Sequence, residues 1–228
     1  MVTSHKLNLL RHGRDLFADL DPMAQLCGEV GCISKSQVGL IGHAIDPVST
    51  GRALQGMLGP AYWEGSDAEV LCLGVGGAGL AITVALITSP LAPARITMSD
   101  TRQDALDHVR SVLLSLPGSA DLRLMLVSKL EENDALTSAL PRASLVINAT
   151  GLGKDLPGSP TTDRAVFPAR GIVWGLNYRG ELLFLDQARR QASVAELRVV
   201  DGWRLFLHGW SEGLSRIFGR TITAESLQ

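Results

Sequence analysis

One short segment constrains this chain more than any other. Glu69-Val-Leu-Cys-Leu73 is a brief apolar run that leads directly into Gly74-Val-Gly-Gly-Ala-Gly79, and Ala78–Ile87 then reads as an apolar helix. A run without polar alternation is what a strand buried on both faces shows. Glycines at 74, 76 and 79 have the spacing of a tight strand-to-helix turn whose backbone can approach a pyrophosphate closely. The helix start then offers N–H donors and a positive partial charge. Glycine spacing alone is a weak signal; the strand before it and the helix after it make it specific.

The rest of the chain repeats this alternation. Arg95–Ser99, Leu122–Val127, Ser144–Asn148, Gly171–Gly175 and Leu197–Val200 read as further strands, with a helix around Arg102–Ser115. Strands and helices alternating at this spacing predict a parallel sheet covered on both faces. Asp100 ends the second strand, 21 residues beyond Gly79. An acid there accepts hydrogen bonds from a ribose 2′-hydroxyl and repels a 2′-phosphate, which favours NAD. Arg102 could pair with such a phosphate, so NADP stays open. Asp100 could equally serve as the N-cap of the following helix. The residues read as cofactor-binding are Gly74, Gly76, Gly77, Ala78, Gly79, Asp100, Thr101 and Arg102.

Composition excludes several classes. With 21 Lys and Arg against 23 Asp and Glu, the formal net charge is −2, and no basic face points to nucleic acid. The longest apolar candidate, Gly79–Ile87, stops at Ser89-Pro90, far short of the ~20 residues that span a bilayer. Charged residues at the N-terminus do not make a secretory signal. Cys27, Cys32 and Cys72 have no metal-ligand spacing and fit reduced thiols in a cytoplasmic protein.

Residues 1–58 read differently. Val2-Thr3 is expected to end a strand, Asp15–Cys27 to be helical with Pro22 as an interruption, Val30–Ile33 and Gly39–Ile41 to be short strands, and Val48–Leu58 a helix. The Gly- and Pro-containing stretch Gly59–Ser66 is the expected domain boundary. Trp203–Phe218 carries an apolar face and is predicted to be a C-terminal helix that stops at Gly219.

Taken in order, Gly74–Gly79, Ile147-Asn-Ala-Thr150 and Asp201-Gly202 before an apolar helix resemble shikimate dehydrogenases and the related quinate/shikimate dehydrogenases. Val2-Thr3-Ser4-His5-Lys6 resembles the family's N-V-T-x-P-x-K segment. Gly28–Ile33 followed by Gly42-His-Ala-Ile-Asp46 resembles its A-V-N-T-I and G-x-N-T-D pair. The resemblance implies a Rossmann-like doubly wound α/β domain over residues 66–201. It also implies a partial open α/β substrate domain over residues 1–58, completed by residues 202–228 packing back on it.

The resemblance further implies reversible hydride transfer between NAD(P) and a hydroxylated ring carboxylate such as shikimate or quinate. Lys6 and Asp46 match the family's catalytic pair, Asn148, Thr150 and Gly202 its cofactor contacts, and Thr3 and Tyr178 its substrate contacts. The expected partners are a small polyol acid and a possible second copy of the chain, with no nucleic acid and no membrane. Read without the resemblance, Lys6 is a solvated surface lysine and Asp46-Pro47 a turn starter.

The departures cluster at the substrate. The family's two asparagines match Gly31 and Ala44, and its helix glutamine falls at Gly209, so three hydrogen-bonding side chains are replaced by glycine or alanine. His43 and His208 could supply polar contacts instead, or serve as structural histidines. Met1 stands where the lysine segment begins, which points first to a longer natural chain with opening strands upstream, and otherwise to a truncated remnant or to a shortened form whose gap a partner chain covers. These departures keep a second reading open: a catalytically impaired dinucleotide-binding paralogue, or a remnant without dehydrogenase activity.

Overall fold

The computed structural model describes residues 1–3, 5–89, 92–116, 120–154 and 156–227. Ser4, within the lysine segment, lies outside the described residues. The chain begins with α1 (Lys6–Gly13), a 3-10 turn, β1 (Phe17–Leu20), α2 (Pro22–Cys27), the hairpin β2 (Cys32–Ser36) and β3 (Gly39–His43), and α3 (Asp46–Leu58). β3 is the central strand of this small sheet, parallel to β1 and antiparallel to β2. Leu10, Phe17, Leu20, Ala24, Val30 and Ala44 are buried against it.

Three expectations fail here, each for a local reason. Pro22 does not interrupt a helix; it starts one, because Asp21 caps α2 by accepting the Ala24 N–H at 2.7 Å and proline suits the first helical position. The stretch before it is the strand β1, and α1 lies where no helix was expected. Leu10 is the buried residue of α1, too weak an apolar face to read. Val2-Thr3 is not a strand, although the Val2 N–H bonds Gly31 O at 2.9 Å. The hairpin strands are also shifted, since the Val30 and Gly31 N–H groups bond Lys6 O and His43 O instead of joining the ladder early.

The remainder supplies β4 (Val70–Leu73), α4 (Gly77–Ile87), β5 (Arg95–Asp100), α5 (Gln103–Leu113), β6 (Asp121–Leu126), α6 (Leu130–Ser138), β7 (Leu145–Asn148), β8 (Ile172–Gly175), α7 (Leu183–Ala195), β9 (Arg198–Val200) and α8 (Trp203–Phe218). Six strands form one sheet in the order β6-β5-β4-β7-β8-β9, every pair parallel. This is the doubly wound, Rossmann-like α/β fold that the sequence predicts.

Its core follows from strand alternation. Val70 and Cys72 bury one face of β4 with Leu145, Ile147 and Trp174. Leu71 and Leu73 bury the other with Val146, Val173, Phe184 and Leu185. Both faces are dry, which is why β4 and β7 read as unbroken apolar runs. The three cysteines are buried and free, and burial pushes the thiols of Cys27 and Cys72 up to about 12, where they are unreactive. Among the described residues no helix is long and apolar enough to cross a membrane.

Strand order reverses between β4 and β7, and in open parallel sheets ligands bind beyond the strand ends at such a reversal. The glycine turn leaves β4 at this point, and Asn148 ends β7 beside it. α3 packs along α4, and α8 packs on α3 and β2, so the start of the chain faces the same crevice.

Candidate functional site

The glycine turn is shaped by close approach. Gly74 has φ +96°, and a Cβ there would lie 2.8 Å from Thr150 N and 2.9 Å from Ala149 O, so the position excludes any side chain. A Cβ on Gly79 would collide with Gly74 O, which is how α4 packs close against its strand. At Gly76 a Cβ would meet only open space. α4 has no side-chain cap, and its first backbone bond runs from the Leu80 N–H to Gly76 O. The N–H groups of Gly77, Ala78 and Gly79 are therefore outside the helix's own bonding. An uncapped helix start beside open space over Gly76 fits a pyrophosphate.

Asp100 ends β5 and turns its carboxylate inward. Oδ2 accepts the Val75 N–H at 2.9 Å and Oδ1 accepts the Arg102 N–H at 3.0 Å. It does not cap the next helix: the N-cap of α5 is Arg102, which makes no side-chain cap bond. Thr101 and Arg102 are exposed, and the Arg102 guanidinium lies 3.8 Å from Asp100 and 4.0 Å from Asp104. Asp100 thus braces the turn between two strands while leaving Arg102 at the rim.

Asn148 and Thr150 are spent on each other. Asn148 Oδ1 accepts the Thr150 N–H at 3.0 Å and its hydroxyl at 2.7 Å, and Thr150 Oγ1 accepts the Leu152 N–H. They shape the loop against Gly74. Gly202, the N-cap of α8, sits so close to Leu176 O that a side chain cannot fit, and its N–H bonds Asn177 O at 3.1 Å.

The crevice itself holds a cavity of about 320 Å³ lined by Thr3, Lys6, Asp46, Ala78, Tyr178 and Gly202 among others. Lys6 opens α1 and Asp46 opens α3, and Lys6 Nζ lies 2.5 Å from both oxygens of Asp46. Both side chains are about four-fifths buried, at 17% and 21% exposure. Two larger grooves, of about 710 and 590 Å³, lie elsewhere and contain neither the glycine turn nor this pair. Tyr178, Phe206 and Trp210 give the same cavity an aromatic wall: Tyr178 packs on Phe206 with ring centres 4.5 Å apart and, behind it, on Trp203 at 5.8 Å, and Phe206 continues to Trp210.

The departures seen in the sequence have visible consequences. Gly31 lies beneath the lysine, where a Cβ would stand 3.5 Å from Lys6 Nζ. Gly209 lines the cavity and has open space around it, whereas Ala44 is buried. His43 is committed elsewhere, with Nε2 2.8 Å from Ser34 Oγ and Nδ1 3.3 Å from Asp21. His208 lines grooves other than this cavity, and burial lowers its pKa. Among the described residues no group of three His, Cys, Asp or Glu could hold a metal ion.

As site residues, sequence reasoning misses Lys154, Phe206 and Trp210, which also line the cavity, and Glu29, whose carboxylate presses on the start of α4. The helical face of α8 was legible, but which element it meets was not. Glu29 is buried behind the pair, and its carboxyl pKa is raised to about 7, first by burial and then by the charge of Asp46, with Lys6 opposing.

No protein-family model matches the sequence. The shikimate dehydrogenase (NADP(+)) of Lactococcus lactis subsp. cremoris is 25% identical over 179 residues, 78% of this chain and 60% of that protein. The shikimate dehydrogenase (NADP(+)) of Streptococcus gordonii is 27% identical over 212 residues, 92% of this chain and 69% of that protein. The chain thus spans about two thirds of the length of these relatives. The quinate dehydrogenase of Corynebacterium glutamicum, solved in complex with NAD, superposes with a TM-score of 0.71 at 20% identity, over 97% of this chain and 73% of that one. With the ordered motifs and the shared fold, the chain is similar to shikimate dehydrogenases along most of its length, at an identity that marks it as divergent from them.

Proposed function

We propose that the protein is a nicotinamide-dependent oxidoreductase that interconverts an alcohol and a ketone on a hydroxylated ring carboxylate such as shikimate or quinate. The observation that carries this reading is the Lys6–Asp46 pair, held at 2.5 Å in a cavity that also reaches Ala78 of the glycine turn. In this reading residues 66–201 carry the cofactor, and residues 1–58 with 202–228 carry the substrate.

The glycine turn and Asp100 would hold NAD, with Arg102 at the rim leaving NADP admissible. When bound, the nicotinamide supplies or accepts the hydride. Everything else is the work of this chain. Lys6, clamped by Asp46, donates a hydrogen bond to the substrate oxygen and delivers a proton there as the ketone is reduced. In the opposite direction the pair takes the hydroxyl proton. Tyr178 offers a hydroxyl to the ring, and the aromatic wall of α8 excludes water from one side.

The test mixes the protein with NAD or NADP and a panel of cyclic polyol acids and follows the absorbance of the reduced cofactor. Turnover with at least one acid is expected. Dinucleotide binding with no turnover on any acid would favour the second reading, a binding protein without hydride transfer. Gly31 and Gly209 favour that reading, because each leaves a substrate hydroxyl without a partner, at a cost of about 1 kcal/mol.

A further inference from the structure

Glu29 is a buried carboxyl that this chemistry does not use. It follows Gly28, the left-handed residue that ends α2, and is 1% exposed. Neither of its oxygens has a hydrogen-bond partner among the described residues. The side chain presses on the start of α4: a Cβ on Gly77 would stand 2.6 Å from Glu29 Oε2. An unpartnered acid is thereby aimed into the one helix start that the cofactor reading needs.

The groups around it are few. Asp46 on α3 repels its charge and Lys6 on α1 attracts it, but Lys6 is already bound to both oxygens of Asp46. The Cys27 thiol on α2 is neutral, and His108 on α5 lies against the neighbouring Gly28. The first turn of α4 brings Gly77, Ala78 and Gly79, with no titratable group.

We propose that Glu29 is a positioning residue for the dinucleotide, taking up a proton when phosphates occupy the glycine turn and opposing them when ionised. The proposal rests on the cofactor reading above. Phosphate and carboxylate compete for a single positive helix end, and a low-dielectric surrounding strengthens their repulsion. The proton comes from solvent and adds to a carboxylate oxygen, so no bond to the cofactor forms or breaks. Burial and Asp46 place this ionisation near pH 7, inside the range where it can be read.

The experiment is isothermal titration of the full chain with NADH and with NADPH, at pH 6 and pH 8, in buffers of different ionisation enthalpy, alongside Glu29→Gln. At pH 8 the wild-type protein is expected to take up close to one proton per dinucleotide, and its Kd to rise about tenfold per pH unit above neutrality. Glu29→Gln, nearly isosteric, should take up none and change its Kd less than about twofold over the same range. A thermal melt of the variant confirms that it folds. Equal proton uptake in both proteins, or none in either, overturns the role of Glu29 while leaving the cofactor reading intact. No binding of either dinucleotide at either pH overturns both.

Discussion

Lys6 and Asp46, 40 residues apart in sequence, meet with the lysine nitrogen 2.5 Å from each carboxylate oxygen, each at the first residue of its helix. At a helix start the chain has just left a loop, so the side chain projects beyond the helix body into the crevice. An ammonium bound to both oxygens is held still, which is what a group that passes a proton to one substrate atom requires.

Lys6→Ala should therefore lower kcat by at least about a hundredfold, the usual share of a positioned acid or base, with cofactor affinity almost unchanged. Fluorescence titration with NADH alongside steady-state rates separates the two. An equal loss of NADH binding would show that Lys6 has another role.

Gly79→Ala places a methyl group against Gly74 O at the core of the turn. It should cost about 2 kcal/mol or more in stability, because backbone must move to admit it. Dinucleotide binding should weaken as well. Urea denaturation and titration would measure the two losses, and unchanged stability would mean that α4 can shift freely along its strand.

Asp100→Ala removes the acceptor of both the Val75 and Arg102 N–H groups. NAD affinity should fall by about tenfold or more, since the carboxylate offered to the ribose and the brace that holds the glycine turn are lost together. NADP should lose less, because the charge facing a 2′-phosphate goes with them. Parallel titrations with the two cofactors check the ratio, and equal losses would confine Asp100 to a structural role.

Glu29 should leave a mark on folding stability that needs no ligand. Its pKa of about 7 in the fold lies above the ordinary value of 4.5. The folded chain then binds more protons than the unfolded one between these values. Its contribution is fully present below pH 4.5 and is lost as pH rises to about 7, by on the order of 3 kcal/mol. Relative to Glu29→Gln, the wild-type Tm should fall over that window and run parallel above it. Parallel curves throughout would mean that the carboxyl finds partners in solution.

Gly209→Gln would put an amide into open space on the cavity wall. If the substrate is a ring carboxylate bearing hydroxyls, KM should fall several-fold with kcat little changed, as expected when one hydrogen bond is added to bound substrate. A KM that rises shows that the natural ligand needs this space.

Legibility along the sequence tracks how locally each element is determined. β4 and β7 were plain because both faces are buried, leaving runs of Val, Leu and Ile with no polar interruption. α8 was read to its last residue, since Gly219 closes it in the left-handed conformation. Residues 15–27 read as one interrupted helix because Asp21-Pro22 has the composition of a break, although an acid before proline is also a start signal. In the site, glycines that avoid collision were legible, because spacing alone encodes them. Glu29 was not: its burial depends on Gly77, 48 positions away, and on the seating of α2 beside α4. Asn148 was found by position, yet its bonds to Thr150 show a brace for the loop.

The side-by-side packing of α3 and α4 has a mechanical meaning. Asp46 rides on the tip of one rod and the glycine turn on the tip of the other, and where Gly51 faces Ala85 the two rods nearly touch, 4.0 Å from a would-be Cβ. The span between the Lys6–Asp46 pair and the glycine turn is thus gauged by the thickness of a helix contact about one to two turns away. A bulkier residue at Gly51 would act as a shim, spreading the two tips while leaving every side chain in the crevice chemically intact.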